Sequence, residues 1–207
     1  MPLPVVSVSQ MRAWEERTWD QGIEAATVME KAGHSLAGEA LSTTKRGDLI
    51  VLLAGKGNNG GDTQIASRLL LDRETLLITI NDPFEAIRDV EQALLKNPAC
   101  IIDGLFGIGL NRDLDSSWVH IVEMVNQSGR PVLSVDCPSG LDADTGLVRG
   151  ESIKAQTTIT FGAPKRGLIF DKAAKYVGKL KVAGNVGLLE PPPEADEHWL
   201  TGADMYS

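Results

Sequence analysis

Short apolar runs recur along the middle of this chain, and segments with helical periodicity separate them. Most of these runs are continuously apolar, which is typical of strands buried on both faces of a sheet. Strands that alternate with helices over short connections favour a parallel sheet with helices on both sides. We therefore predict an α/β fold with a mostly parallel central sheet, with strands over 49–55, 75–80, 100–105, 131–136, 157–162 and 178–184 and helices over 10–20, 24–42, 62–72, 83–96 and 116–129.

Length and composition restrict the class of protein further. The 207 residues suit one domain over 1–190, followed by a proline-rich, acidic tail or interdomain linker over 191–207. A net charge of −8 argues against partners such as nucleic acid or an anionic membrane surface. No apolar run approaches the roughly 18 residues of a membrane span. The two cysteines lie in or beside apolar runs, which indicates core residues of a cytoplasmic, reducing compartment.

The glycine-rich loop 55–62 follows the first predicted strand and precedes a helix. Its spacing resembles a Walker A loop, but Gly61 and Asp62 stand where that loop needs Lys and Ser or Thr, so nucleoside triphosphate hydrolysis is rejected. Gly55, Gly57 and Gly60 do match the G-x-G-x-x-G pattern of dinucleotide-binding folds. A third reading is a tight turn whose glycines supply positive φ and whose Asp62 caps the helix.

A nicotinamide-dependent dehydrogenase is therefore one alternative, with Asp82 near the next strand end as a candidate ribose contact. Two observations count against it. Two predicted helices precede the first strand, whereas the dehydrogenase module usually begins with that strand. The carboxylate of Asp62 would also compete with a pyrophosphate for the amides at the helix start.

Polar side chains follow the next predicted strands as well. Asp103 and Asp136 lie at strand ends, and Ser139 follows shortly after. Because the carboxyl ends of parallel strands share one edge of a sheet, these groups and Asn59 are expected to converge there. An oxygen-rich cluster without His or Cys suits a hard cation. The alternative is that each aspartate only caps a turn.

A basic pair, Lys165 and Arg166, follows the fifth predicted strand of the sheet on the same edge. In an acidic protein such residues are candidates to meet a phosphate group. The alternative is a solvated pair with no ligand.

Five segments in this order resemble the YjeF N-terminal family and its NAD(P)H-hydrate (NAD(P)HX) epimerases. They are VMEKAG (28–33), GKGNNGGD (55–62), IIDGLFGIGL (101–110), VDCPSGLDADTG (135–146) and TITFGAPKRGL (158–168). The resemblance spans about 8–190. It implies a Rossmann-like three-layer αβα sandwich, usually a homodimer. It also implies a metabolite-repair isomerase that interconverts the R and S epimers of NADHX and NADPHX at C6.

The resemblance also implies site residues. Potassium ligands would be Asn59, Asp103 and Ser139, in agreement with the oxygen cluster inferred above. Substrate contacts would come from Asn58, Asn59, Gly60, Gly61, Asp62, Gly107, Ile108, Gly109, Leu110, Asn111, Arg112, Asp113 and Asp136. Because Asp136 ends a strand at the site, we expect it to be the catalytic proton donor and acceptor. The functional partner would be an NAD(P)HX dehydratase domain, in some proteins fused to the C-terminus.

Two positions depart from the family pattern. Thr63 replaces a frequent glycine, which matters only if positive φ is needed there, and Cys137 replaces an aliphatic residue. A further alternative is a non-catalytic scaffold of the same fold. Such proteins are expected to lose the site residues, whereas this chain keeps Asn59, Asp62, Asp103 and Asp136.

Overall fold

A computed structural model describes residues 3–191 and 197–199 of the chain. The elements in chain order are β1 (Leu3–Val5), α1 (Val8–Asp20), α2 (Ala25–Thr43), β2 (Leu49–Ala54), α3 (Asn58–Leu69), β3 (Glu74–Thr79), α4 (Pro83–Leu95), β4 (Cys100–Gly104), α5 (Ser116–Gln127), β5 (Val132–Val135), β6 (Thr157–Phe161), α6 (Ala174–Val177), β7 (Lys179–Ala183) and β8 (Glu197–Trp199). Two short 3-10 helices, Arg166–Ile169 and Asp171–Ala173, precede α6.

Six of the strands form one parallel sheet in the order β3-β2-β4-β5-β6-β7. The chain passes outward from β2 to β3, then returns across β2 to β4. This reversal opens a crevice between the loops that follow β2 and β4, and ligands of open α/β sheets bind at such a point.

Helices cover both faces of the sheet, as the apolar runs predict. On one face, α2 and α3 bury Leu36 and Ala66 against Ile50 and Leu52 of β2. On the other face, α4 and α5 pack against Val51, Leu53 and their neighbours in β4. The successive residues of β2 therefore point into two different cores, which explains why this strand is apolar throughout. The predicted three-layer αβα sandwich is confirmed.

All six predicted strands of the sheet form, within two residues of their expected bounds. The main difference is α3, which begins at Asn58 instead of residue 62. The asparagines and glycines of the loop therefore form the first turn of the helix. Strand β1 was not predicted, because the three residues Leu-Pro-Val carry no periodic pattern.

Most of the predicted tail over 191–207 lies outside the described residues. Within it, β8 pairs antiparallel with β1, so the two ends of the described chain meet in a second, two-stranded sheet. The main chain just before the tail is held to α1, since Trp14 and Arg17 donate to the carbonyls of Leu189 and Glu190 at 3.0 and 2.7 Å. Over residues 3–191 and 197–199, no helix has the length and apolar content needed to cross a membrane.

Candidate functional site

A cavity of about 780 Å³ opens at the carboxyl ends of β2, β4, β5 and β6, next to the reversal in strand order. This volume lies within the range of small-molecule sites. Helix α1 and the start of α3 form its walls, together with the loop after β4. The predicted substrate contacts that line it are Asn58, Asn59, Asp62, Gly107, Ile108, Gly109, Leu110, Asn111, Arg112 and Asp136.

The glycines at the start of α3 are required by close packing. A Cβ atom on Gly60 would lie 1.9 Å from the carbonyl oxygen of Gly55, and one on Gly55 would lie 2.0 Å from that of Leu105. Neither glycine has a positive φ, so the expectation of left-handed turn glycines is wrong here. Gly60 and Gly61 do not line the cavity. Gly60 packs against the main chain of Gly55, and Gly61 packs against Met29. These two glycines allow the start of α3 to lie close to its neighbours.

The N-cap of α3 is Gly57, which has no side chain to satisfy the first amides of the helix. The interpretation of Asp62 as the cap is therefore wrong, because Asp62 lies in the second turn. Uncapped amides at a helix N-terminus bind anions well. Thr63 follows in helical conformation, so its departure from the family pattern causes no backbone strain, and its hydroxyl donates to the Asn59 carbonyl at 2.7 Å.

Asn59, Asp103 and Ser139 come together behind the cavity, as their strand-end positions predict. Asp103 is fully buried and accepts hydrogen bonds from the amide and hydroxyl of Ser139, at 2.9 and 2.5 Å. The Ser134 hydroxyl donates to the same carboxylate at 2.8 Å. Burial raises the pKa of Asp103, and these hydrogen bonds oppose the shift.

The side-chain amide of Asn59 is linked to Ser139 through the main chain of Phe106. Its Nδ2 donates to the Phe106 carbonyl at 3.0 Å, while the Phe106 amide donates to the Ser139 hydroxyl at 2.9 Å. All donors and acceptors around Asp103 are uncharged, so no cationic side chain balances its ionised form. Among the described residues, no group of three or more His, Cys, Asp or Glu is placed to hold a metal ion. One buried carboxylate with neutral oxygens fits a hard cation of low charge.

Asp136 and Lys165 form a buried ion pair at the cavity wall. Lys165 is 1% exposed, and its ammonium group donates to Asp136 at 2.5 Å, to the Thr160 hydroxyl at 3.0 Å and to the Phe161 carbonyl at 2.9 Å. These three bonds use all the donors of the lysine. The alternative of a solvated lysine is therefore wrong for Lys165. The phosphate contact stays a prediction, and the three bonds leave the ammonium group no further donor for it. Arg166, in the adjacent 3-10 helix, does not line the cavity.

The backbone holds Asp136 in an unusual conformation, with φ of 62°. Left-handed backbone at a non-glycine residue is uncommon and concentrates at functional sites. All hydrogen bonds that the Asp136 carboxylate accepts from the described residues reach one oxygen, Oδ1. The second carboxylate oxygen makes none with those residues, and the side chain lines the cavity.

Sequence reasoning missed the contribution of α1. Arg12 and Glu15 project from this helix into the cavity, beside the buried Met11 and Trp14. Burial raises the pKa of Glu15, and the Asp136 carboxylate adds to the shift, whereas Lys165 and Arg12 oppose it. The only sequence signal was a charged pair at helical spacing next to apolar positions, and this pattern also fits an ordinary surface helix.

Two other predicted contacts lie elsewhere. Asp113 does not line the cavity. Asp82 caps α4 by accepting from the amides of Phe84 and Glu85 at 2.9 and 3.4 Å, which removes the ribose contact proposed for the dehydrogenase alternative.

Known proteins have sequences similar to most of this chain. The chain is 36% identical over 201 residues to the NAD(P)H-hydrate epimerase of Limosilactobacillus fermentum, covering 88% of this chain and 97% of that one. The epimerase of Lentilactobacillus buchneri is 33% identical, with 86% and 92% covered. The bifunctional NAD(P)H-hydrate repair enzyme Nnr of Thermosynechococcus vestitus is also 33% identical, but the chain spans only 38% of that protein.

A crystal structure of the yeast protein ynu0 has the same fold, with a TM-score of 0.69 at 22% identity and 87% of each chain covered. The family model described as the YjeF-related protein N-terminus matches residues 25–96 and 76–167, which together exceed half of the chain. The chain therefore belongs to the YjeF-related protein N-terminus family.

Proposed function

We propose that this chain is an NAD(P)H-hydrate epimerase, which interconverts the R and S forms of NADHX and NADPHX. The observation that carries the proposal is the buried Asp136–Lys165 pair at the wall of a cavity large enough for much of a dinucleotide. Membership of a family whose similar relatives are named epimerases supports the same activity. We assign the substrate contacts to Asn58, Asn59, Asp62 and the loop 107–112, because all of them line the cavity.

The reaction centre of the substrate is C6, which carries a hydroxyl group next to the ring nitrogen. The hydroxyl can leave as water with help from the nitrogen lone pair, and water can return to the other face. Both steps require a group that holds and moves a proton within hydrogen-bond reach. We assign this role to Asp136, because one of its oxygens is anchored by Lys165 and the other is free of described partners.

The phosphate groups of the dinucleotide have candidate partners around the cavity mouth. Arg12, Lys56 and Arg112 line the cavity, and they make no ion pair with another described residue. The uncapped first turn of α3 adds main-chain amides. These positive groups allow an anionic ligand to bind to a chain whose net charge is −8.

We further propose that Asn59, Asp103 and Ser139 hold potassium. The support is the fully buried Asp103 carboxylate, whose hydrogen-bond partners among the described residues are all uncharged. A bound potassium ion would supply the positive charge that this carboxylate lacks. The ion would also link the start of α3 to the loops after β4 and β5, and so fix the walls of the cavity.

A partner activity follows from the chemistry. Epimerisation does not by itself convert the hydrate back to NADH or NADPH, so a dehydratase that consumes one epimer must act on the product. Fusion to such a domain is consistent with the longer bifunctional repair enzymes that match this chain. We place the reaction in the cytoplasm, in agreement with two buried free cysteines, and we expect a homodimer.

The test is an epimerisation assay with purified R-NADPHX, in which the S form is followed by chromatography. The proposal predicts acceleration above the spontaneous rate and loss of this acceleration in Asp136→Asn. Saturable binding of the dinucleotide without acceleration would instead favour the non-catalytic scaffold.

A further inference from the structure

Asp62 is a further carboxyl group in the cavity, which Glu15, Asp115 and Asp136 also line. It projects from the second turn of α3 and is only 6% exposed. Within the described part of the chain, its carboxyl group makes no hydrogen bond and no ion pair, and it lines the cavity beside Asp136. Because no fully buried side-chain oxygen of the described residues lacks a hydrogen bond, the oxygens of Asp62 are accessible from the cavity. A mostly buried carboxyl group that faces a cavity is a candidate for function.

The charges around Asp62 favour its neutral form. The cavity contains Glu15, Asp62 and Asp136 near one buried lysine, and Lys165 is committed to Asp136. Burial, followed by repulsion from Asp136, raises the pKa of Asp62 to about 8, while Lys165 opposes the shift and Glu15 adds to it. Arg12 lies near Glu15 on α1. Helix α2 packs against this turn with Met29 and Gly33.

The two aspartates of the cavity thus differ in their surroundings. Asp136 is ion-paired and hydrogen-bonded, whereas Asp62 is desolvated and has no partner among the described residues. Two carboxyl groups placed in such different environments commonly divide the acid and base roles of one reaction. The sequence predicted a helix cap or a substrate contact for Asp62, and no catalytic role.

We propose that Asp62 is a catalytic acid of the epimerisation, and that it protonates the departing C6 hydroxyl while Asp136 receives the proton of the returning water. This inference rests on the proposed function and assigns the acid role and the base role of the first direction to different residues. It requires that Asp62 carries a proton when the R form binds.

The step balances as follows. The proton of Asp62 passes to the C6 hydroxyl, the C6–O bond breaks with its electron pair on oxygen, and the lone pair of N1 forms the C6=N1 bond. One water molecule and a cationic ring result. Water then adds to the opposite face of C6, the N1 lone pair is restored, and the released proton passes to Asp136. The reverse reaction uses the two carboxyls in exchanged roles, and exchange with solvent resets them.

The experiment compares purified wild-type protein with Asp62→Asn and with the control Asp89→Asn. Asp89 is an exposed acid on α4 and does not line the cavity. Asparagine keeps the shape of the side chain but cannot supply the proton. We expect kcat with R-NADPHX to fall by roughly 100-fold or more in Asp62→Asn. The KM should change by less than about threefold, because recognition of the dinucleotide depends mainly on other groups.

The pH profile of the wild type provides an independent readout that does not require a variant to fold. The kcat/KM should fall above a pH of about 8 as Asp62 of the free enzyme loses its proton. Residual activity of Asp62→Asn should lack this alkaline decline. Rates are taken relative to the spontaneous reaction at each pH, and the thermal unfolding of each variant is recorded beside them.

The possible outcomes separate the inference from the proposed function. If the wild type is active and Asp62→Asn keeps its kcat, with kcat/KM either unchanged or lowered only by a raised KM, the inference is overturned and the epimerase stands. An active wild type without the alkaline decline would overturn it as well. A wild type and an Asp89→Asn variant that both fail to accelerate epimerisation would overturn the proposed function, and the inference with it.

Discussion

Lys165 donates to Asp136 at 2.5 Å, and only 1% of the lysine is exposed, so the two residues form an almost fully buried ion pair. Removing one partner of such a pair leaves an uncompensated buried charge. For Lys165→Met we therefore expect a loss of roughly 3–5 kcal/mol in the free energy of unfolding. Urea denaturation measures this loss, and Lys154→Met, an exposed lysine, is the matched control.

A double variant tests whether the loss comes from the unpaired carboxylate. Adding Asp136→Asn to Lys165→Met removes the stranded charge, so the double variant should be more stable than Lys165→Met alone. Simple addition of the two single losses would show that Lys165 acts by packing and not through Asp136.

Asp62 makes stability depend on pH. The folded chain keeps the Asp62 proton up to about pH 8, whereas an unfolded chain releases it near the ordinary value of 3.8. Between these values the unfolded state binds fewer protons, so the contribution of Asp62 to the free energy of unfolding falls as pH rises. Asp62→Asn should be more stable than the wild type by an amount that grows from pH 5 to pH 8, reaching the order of a few kcal/mol. Melting temperatures across this range measure it, and a constant difference between the two proteins would contradict the assignment.

The glycines of the loop after β2 differ in how much space surrounds them. Gly60→Ala places a Cβ atom 1.9 Å from a main-chain oxygen, which only a backbone shift can relieve. We expect a loss of more than about 2 kcal/mol and a displaced start of α3. Gly38→Ala is the control, since its Cβ meets nothing within 4 Å on the exposed side of α2. This control should gain roughly 0.5–1 kcal/mol from the better helix propensity of alanine. Equal stability of the two variants would contradict the close approach.

Potassium should stabilise the folded chain if Asn59, Asp103 and Ser139 hold it. Because a bound ion favours the folded state by mass action, replacing potassium chloride with tetramethylammonium chloride should lower the melting temperature by roughly 2–4 °C. Ser139→Ala should reduce this salt-specific difference, whatever its effect on stability itself. If the two salts gave the same melting temperature for the wild type, potassium binding at these residues would be refuted.

Local patterns were sufficient to predict the sheet and the edge of the sheet that carries the site. The continuously apolar strands β2 and β4 indicate burial on both faces of the sheet. Asp103 and Ser139 were expected to meet because one lies at the end of β4 and the other follows the neighbouring parallel strand β5. Parallel order brings the carboxyl ends of the strands to one edge, so residues distant in the chain converge without any specific contact being known.

The partners of charged residues were not predictable in the same way. Lys165 and Asp136 are 29 positions apart, and nothing in the sequence around Lys165 distinguishes a buried lysine from a solvated one. Glu15 lies on a helix outside the central alternation, and its approach to Asp62 depends on how α1 folds back over the sheet edge. Such contacts are set by tertiary packing, which the local pattern does not contain.

The most direct test of the central claim is the rate of R-to-S conversion of NADPHX by the purified wild-type protein and by Asp136→Asn. We predict clear acceleration over the spontaneous rate in the wild type and a decrease of roughly 100-fold or more in a folded Asp136→Asn variant. Conversion at the wild-type rate in that variant would contradict the role of Asp136, and no acceleration by the wild type would contradict the epimerase itself.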